Sequence, residues 1–333
     1  FKLRHKFKTV LLGFAAFSML AGTASVFAGT IKIGVSIRMK SDTGKKYGQM
    51  LVDEFDAVNA AGGINGHKID VKLLNDECKS DIGVANATKL SYQDKVHLFV
   101  GSSCSSVSMP IVDVIHRARV PMLIPHSSSY KITLKGSPWV FRVPISSRFS
   151  AAAAAKYTAE NIGTKIAYIW ASDTASQNDA NKFAEYIKTY HGLDPVYAEQ
   201  FQEGELDLRP HLLKIKALRP QALMVAAQSQ DFARGLVQSY EVGIPRSVKR
   251  IGGSAASNRP APILSGDAIK GVFFHAAFSY TDPHPRVKKF VKMTTDRYGV
   301  STPDHDFSQA WDLAQIAKIA LKRSELTLTD SSL

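Results

Sequence analysis

The sequence predicts an α/β protein of two lobes, each a parallel sheet with helices on both faces. Three observations carry that prediction. Short β-rich runs alternate with amphipathic runs of helical period from residue 31 to about residue 323. The alternation completes one series, pauses near residues 144–150, and begins again. A chain of 333 residues also exceeds what one small core organises and suits two lobes of ordinary domain size.

The first series opens with Ile31–Ile37 (IKIGVSI), a strand pattern. A helix over about 45–61 follows, with Leu51, Phe55 and Val58 on one face, and Gly62-Gly63 supplies the backbone freedom that ends it. Ile69–Leu74 is the next strand, and Val84, Ala87 and Leu90 mark a helix. Leu98-Phe99-Val100 is the third strand; the helix after Ser105 carries Ile111, Val114, Ile115 and Ala118, with Pro110 placed in its first turn, where a missing N–H costs little. Pro121–Pro125 (PMLIP) reads as a short fourth strand.

The second series begins after Ala151–Ala155, which reads as the start of a helix. Ile166–Trp170 is a strand; Phe183, Ile187 and Tyr190 define a helix face; Pro195–Phe201 is extended. Leu208, Leu212, Ile215 and Leu218 mark a helix, Ala222–Ala227 a strand, and Phe232, Leu236 and Tyr240 a helix stopped by Gly243 and Pro245. Val272–His275 is strand-like, and helices follow over about 285–298, ended by Gly299, and about 306–323.

The N-terminus predicts export. Phe1–Lys8 carries four basic residues and no acid, Thr9–Gly22 is uncharged and too short to span a membrane comfortably, and Val26-Phe27-Ala28 offers a small-x-small cleavage pattern. Residues 1–28 therefore read as a secretory signal peptide, and its removal takes the formal charge from +13 to +9. That excess is scattered rather than gathered into a basic arm, so it does not imply nucleic acid. Two cysteines in an exported chain are most simply one disulfide, and closing Cys78 to Cys104 contributes roughly 3.5 kcal/mol in the chain-entropy treatment.

In parallel sheets covered by helices, ligands bind at the carboxyl ends of the strands. Two such ends here are rich in hydroxyls: Gly101–Ser108, which opens a helix, and Pro125-His126-Ser127-Ser128-Ser129-Tyr130. Backbone N–H groups, serine hydroxyls and the helix dipole together suit a small carboxylate; ordinary helix capping by Ser105 or Ser106 is the plainer alternative. An enzyme with Cys104 as nucleophile and His126 as base is a third reading of the same loops. His275, His284 and His305 lack metal-ligand spacing, and no cofactor motif is present.

Four stretches make the chain resemble the periplasmic type I binding proteins of branched-chain amino acid (Leu/Ile/Val) ABC importers. They are DEFDAVNAAGGINGHKIDVKLLNDECKSD (53–81), FVGSSCSSVSMP (99–110), VPMLIPHSSSYKIT (120–133) and SYEVGIP (239–245). The resemblance implies two Rossmann-like lobes joined by a multi-strand hinge with three crossings. One lobe would comprise residues 29–146 plus about 278–333, the other 147–277, with a ligand trapped between them by closure. It further implies a disulfide between Cys78 and Cys104, a membrane permease as partner, a periplasmic location, a monomeric state and no catalysis. A ligand-sensing receptor with the same two lobes is the runner-up.

Position by position, the resemblance places carboxylate contacts on Ser105, His126, Ser127 and Ser128, and a ligand-covering aromatic on Tyr47. The acid expected to meet a ligand ammonium falls at Ser254, and two further ligand-covering tyrosines fall near Ala175 and Gln228. An ammonium buried without a counter-charge is costly. Either Asp173 or Asp231 takes over that contact, or the ligand is an amine-free aliphatic or aromatic carboxylate. Arg38, in an unusually basic first loop, stands within reach of an anion or projects into solvent.

Overall fold

The computed structural model describes residues 29–324; the signal-peptide reading of residues 1–28 lies outside them. The first series comprises β1 (Ile31–Ile37), α1 (Asp42–Ala60), β2 (Ile69–Asn75), α2 (Ser80–Thr88), β3 (Leu98–Gly101), α3 (Ser105–Ala118), β4 (Met122–Ile124), α4 (Lys131–Leu134) and β5 (Val140–Arg142). The second comprises α5 (Ser147–Tyr157), β6 (Ile166–Ala171), α6 (Thr174–His191), β7 (Tyr197–Phe201), α7 (Arg209–Leu218), β8 (Ala222–Ala226), α8 (Ser229–Glu241), β9 (Lys249–Gly252), α9 (Pro260–Ser265) and β10 (Phe273–Phe274). Two helices close the described chain, α10 (Pro285–Tyr298) and α11 (His305–Arg323).

Each series forms a five-stranded parallel sheet, in the orders β2-β1-β3-β4-β5 and β10-β9-β8-β6-β7. These are the same topology read from opposite edges. In both, the connections run to opposite sides from one central pair of strands, β1/β3 in the first sheet and β6/β8 in the second. A crevice forms beyond the carboxyl ends of such a pair.

Packing follows from strand periodicity. Ile31, Ile33, Val35 and Ile37 point to one face of β1 and are wholly buried with Met50, Leu51 and Phe55 of α1. Phe290 of α10 and Phe307, Leu313 and Ala317 of α11 join this same core. The chain thus passes to the second sheet between β5 and α5 and returns after β10, two passages among the described residues. The opposite face of the first sheet packs Phe99 and Leu90 against Ile111 and Ile115 of α3. The second sheet is covered likewise, by Leu212, Phe232 and Leu236 on one face and Phe183 and Ile187 on the other. Each of the Val, Ile, Leu, Met and Phe side chains among these, when fully buried, stabilises the fold by roughly 1.5–3 kcal/mol.

Several elements differ from the sequence expectation. The first helix begins at Asp42, three residues early, because the Ser41 hydroxyl accepts the Gly44 N–H at 3.0 Å and caps it. Strands β5 and β9 and helices α4 and α9 carry too little periodic signal to read. Strand β9 (KRIG) begins with two basic residues, yet Arg250 is buried, its guanidinium 3.8 Å from the Tyr240 ring centre and donating to the carbonyls of Ile244, Pro245 and Val248. Pro110 lies in the second turn of α3, not the first, since the helix starts at Ser105. It leaves the Ser106 carbonyl without its helical donor, and the Ser80 hydroxyl donates to that carbonyl instead, at 3.0 Å.

Candidate functional site

The first-lobe wall of the crevice is set by Gly101 at the end of β3. Its φ is +153°, and a Cβ there would lie 2.2 Å from the Ser36 carbonyl oxygen, so only glycine fits. The chain then turns into Ser102, whose hydroxyl donates to Asp76 Oδ2 at 2.5 Å. Asp76 Oδ1 accepts the Cys78 N–H at 2.9 Å. A disulfide joins Cys78 to Cys104 with their Cα atoms 5.6 Å apart, tying the loop after β2 to the start of α3.

Cys104 is the N-cap of α3 but offers no side-chain cap, and its carbonyl takes both the Val107 and Ser108 N–H groups. The N–H groups of Ser105 and Ser106 therefore have no acceptor within the helix. Both residues line the crevice, as do Ser103 and Ser128. The Ser105 hydroxyl accepts the Ser129 N–H at 3.2 Å and keeps its own proton free to donate. The Ser128 loop is held from behind, its carbonyl accepting from Arg142 at 3.2 Å and from the Ser147 N–H at 2.9 Å.

His126 is fully engaged. Its Nε2 lies 2.8 Å from the Asp306 carbonyl oxygen and its Nδ1 3.3 Å from the Ser103 hydroxyl. Burial pushes its imidazole below the usual range, so at neutral pH it is uncharged and donates from Nε2. Behind it stands Tyr47, edge-on with ring centres 4.7 Å apart, its hydroxyl donating to the Arg38 carbonyl at 2.9 Å. Burial, with the charge of Asp306, drives the Tyr47 phenol well above its ordinary range.

The second-lobe wall carries the opposite polarity. Asp173 caps α6, its Oδ1 accepting the N–H groups of Ala175 and Ser176 at 3.1 and 3.2 Å and the Gln228 amide at 3.1 Å. Its other oxygen, Oδ2, is buried and has no hydrogen-bond partner among the described residues. Glu203 and Ser254 line the same wall. Behind it Asp179 is buried, and desolvation together with the Asp173 charge pushes its carboxyl up to about 7. The crevice between the two walls measures about 250 Å³. Its lining combines the start of α3, serine hydroxyls, Arg38, Glu77 and Asp306 on one side with Asp173 and Glu203 on the other.

At one edge the lobes touch. His305 and Asp306, at the start of α11, meet the segment after β9: Ser257 and His305 Nδ1 are 2.9 Å apart, and the Asn258 amide donates to Asp306 Oδ2 at 3.3 Å. Among the described residues no group of three or more His, Cys, Asp or Glu side chains converges on one point.

A family model described as periplasmic binding protein matches residues 30–333. The chain belongs to that family. Its members bind solutes and are not enzymes. One relative, the leucine-, isoleucine-, valine-, threonine- and alanine-binding protein of Pseudomonas aeruginosa, is 25% identical over 79% of this chain and 68% of its own length. An ABC transporter substrate-binding protein of Desulfitobacterium hafniense, solved in complex with Leu, is 25% identical with a TM-score of 0.73, covering 90% of this chain and 85% of that one. A solute-binding protein of an ABC transporter from Rhodopseudomonas palustris, in complex with 3,4-dihydroxybenzoic acid, shares the fold with a TM-score of 0.76 at 22% identity, over 88% of this chain and 81% of that one.

In this periplasmic binding protein the predicted site residues divide. Ser105, His126, Ser128, Asp173, Gln228 and Ser254 all line the crevice. Tyr47 and Ser127 do not. Tyr47 sits within α1, 3% exposed, and supports His126 instead of facing the opening. The Ser127 hydroxyl donates to the Ser102 carbonyl at 2.8 Å and is paired with Ser108, all of it buried. Asp231 is likewise committed elsewhere, to Arg234 at 2.5 Å and the Gly204 N–H at 2.8 Å. Sequence reading missed Glu203, His305 and Asp306. Glu203 follows the end of β7, so the strand-end rule would have found it, whereas His305 and Asp306 reach the crevice only through the packing of α11.

Proposed function

We propose that this protein is the periplasmic substrate-binding component of an ABC importer, that it acts as a monomer, and that it binds a small amino acid between its lobes. One observation carries the reading: the donor-rich start of α3 and the carboxylate of Asp173, whose Oδ2 has no hydrogen-bond partner among the described residues, line a single crevice. A zwitterion satisfies both walls at once. Its carboxylate accepts from the Ser105 and Ser106 N–H groups and from the Ser105 and Ser128 hydroxyls, while its ammonium donates to Asp173. Both walls reach the ligand together only when the lobes close, so binding and closure are one equilibrium, and the closed form is what a membrane permease recognises. The relatives described as amino acid-binding support this assignment. The basic leader with its small-x-small site supports export to the periplasm.

A second reading, an amine-free carboxylate, draws on Ser254 standing where the resemblance expects an acid, and on Arg38, which lines the crevice and makes no ion pair among the described residues. A thermal-shift screen of the purified protein separates the two, pairing each amino acid with its 2-oxo counterpart. A ligand at a hundred times its dissociation constant stabilises by about 2.7 kcal/mol, a shift of a few degrees. Stabilisation by amino acids but not by 2-oxo acids is expected; the reverse establishes the amine-free reading.

A further inference from the structure

A second cavity, of about 240 Å³, lies beside the crevice where the chain passes between the lobes. Both cavities are lined by His126, Ser128, Ser254 and His305, so these four residues form a wall common to the two. Ser254 is the position where the resemblance expects an acid, and its short side chain leaves the partition low at that point.

The walls of this cavity differ from those of the crevice. None of its lining residues is Asp, Glu, Lys or Arg. One side is apolar and open to water, formed by Ile145 and by Phe149, which is 67% exposed. The other side is polar. Gln309, only 7% exposed, and His275 line it, and the Gln309 Oε1 and both ring nitrogens of His275 are buried without a hydrogen-bond partner among the described residues. Buried polar atoms left unbonded cost roughly 1–3 kcal/mol each, a cost removed when a ligand group bonds to them. Burial lowers the His275 imidazole to about 4, so at neutral pH it is uncharged, with one nitrogen donating and the other accepting.

An uncharged group that donates and accepts is the complement of that pair, and an apolar planar body is the complement of Ile145 and Phe149. We propose that the crevice and this cavity form one compartment, and that the ligand is an amino acid with a hydroxyl-tipped aromatic side chain, its ring in the cavity and its hydroxyl on Gln309 and His275. The inference rests on the amino acid reading of the crevice. A branched aliphatic side chain carries no group that bonds Gln309 or His275 and leaves their polar atoms unbonded. A site built to bond a hydroxyl rejects the analogue that lacks it far more strongly than an apolar pocket rejects a missing methylene.

Isothermal titration of the purified protein with L-tyrosine, L-phenylalanine and L-leucine tests this, using the wild type, Gln309→Leu and Ser254→Leu. The wild type is expected to bind tyrosine at least tenfold more tightly than either of the others. Gln309→Leu should weaken tyrosine at least tenfold and phenylalanine less than threefold. Ser254→Leu, which raises the partition, should weaken both aromatic ligands by a larger factor than it weakens leucine. Leucine binding as tight as tyrosine, or a Gln309→Leu effect equal for all three ligands, overturns the second compartment and leaves the crevice reading standing. Binding of none of the three, with 2-oxo acids stabilising the protein instead, overturns the crevice reading and this inference together.

Discussion

The Gln228 side-chain amide donates to Asp173 Oδ1 at 3.1 Å, while the second carboxylate oxygen is buried without a partner among the described residues. The helix cap is thereby also a carboxylate that lines the crevice. Asp173→Asn keeps a good N-cap and the same shape but removes that charge. Affinity for an amino acid ligand should fall about a hundredfold, while amine-free analogues are affected little. Asp231→Asn should instead lower the melting temperature through loss of the Arg234 pair, with ligand affinity kept. Titration calorimetry on both variants distinguishes these outcomes, and equal affinity losses would remove Asp173 from the site.

Ser128→Ala should weaken binding roughly tenfold or more without changing stability, because its hydroxyl faces the crevice and its backbone holds the loop. Ser105→Ala should also weaken binding and lower the melting temperature slightly, since the Ser129 N–H loses its acceptor. Ser127→Ala should act on stability alone, its hydroxyl being buried against Ser102 and Ser108. Unchanged affinity in both Ser105→Ala and Ser128→Ala would sink the carboxylate assignment.

Stability should depend on pH through Asp179. Its folded-state value of about 7 lies above the ordinary 3.8, so between roughly pH 4 and 7 the folded protein keeps a proton that the unfolded chain has released. This group's contribution to stability is therefore full at low pH and declines as pH rises through that window. His275 acts oppositely: lowered from 6.5 to about 4, it makes stability rise with pH between those values. Asp179→Asn should raise the melting temperature at pH 8 relative to wild type by more than at pH 5. A variant with the same pH profile as wild type would contradict the assignment.

Gly101→Ala should destabilise by several kcal/mol, since neither the +153° φ nor the 2.2 Å approach to the Ser36 carbonyl tolerates a Cβ. Chemical denaturation should show a lower midpoint, and residual ligand affinity should drop because the start of α3 moves with the loop. A midpoint within error of wild type would mean that the strand end carries no such constraint.

Much of this molecule is legible in its sequence because strand and helix periodicity are local. Ile31, Ile33, Val35 and Ile37 announce a buried strand face, and Leu51 and Phe55 a helix face, without reference to anything distant. Hydroxyl-rich loops at strand ends also mark the crevice, since in parallel sheets those ends are where ligands bind. Strand β9 escaped because the burial of Arg250 depends on a ring and three carbonyls supplied by the fold. Pro110 was misplaced by a turn because the partner of the freed carbonyl, Ser80, lies 26 residues from Ser106.

The sequence by itself determined the two α/β series, the single cysteine pair and the strand ends that form the crevice, each resting on spacing within a short stretch. Only the tertiary structure decided which side chains face that crevice. Tyr47 and Ser127 turned away from it, Asp231 was taken by Arg234, Asp173 was left with an unbonded oxygen, and Gln309 and His275 were gathered at one cavity. The reason is physical: burial, hydrogen-bond satisfaction and charge compensation depend on neighbours brought together across the fold, and residues as distant as Asp173 and Gln228, or Asn258 and Asp306, meet only once both sheets have formed.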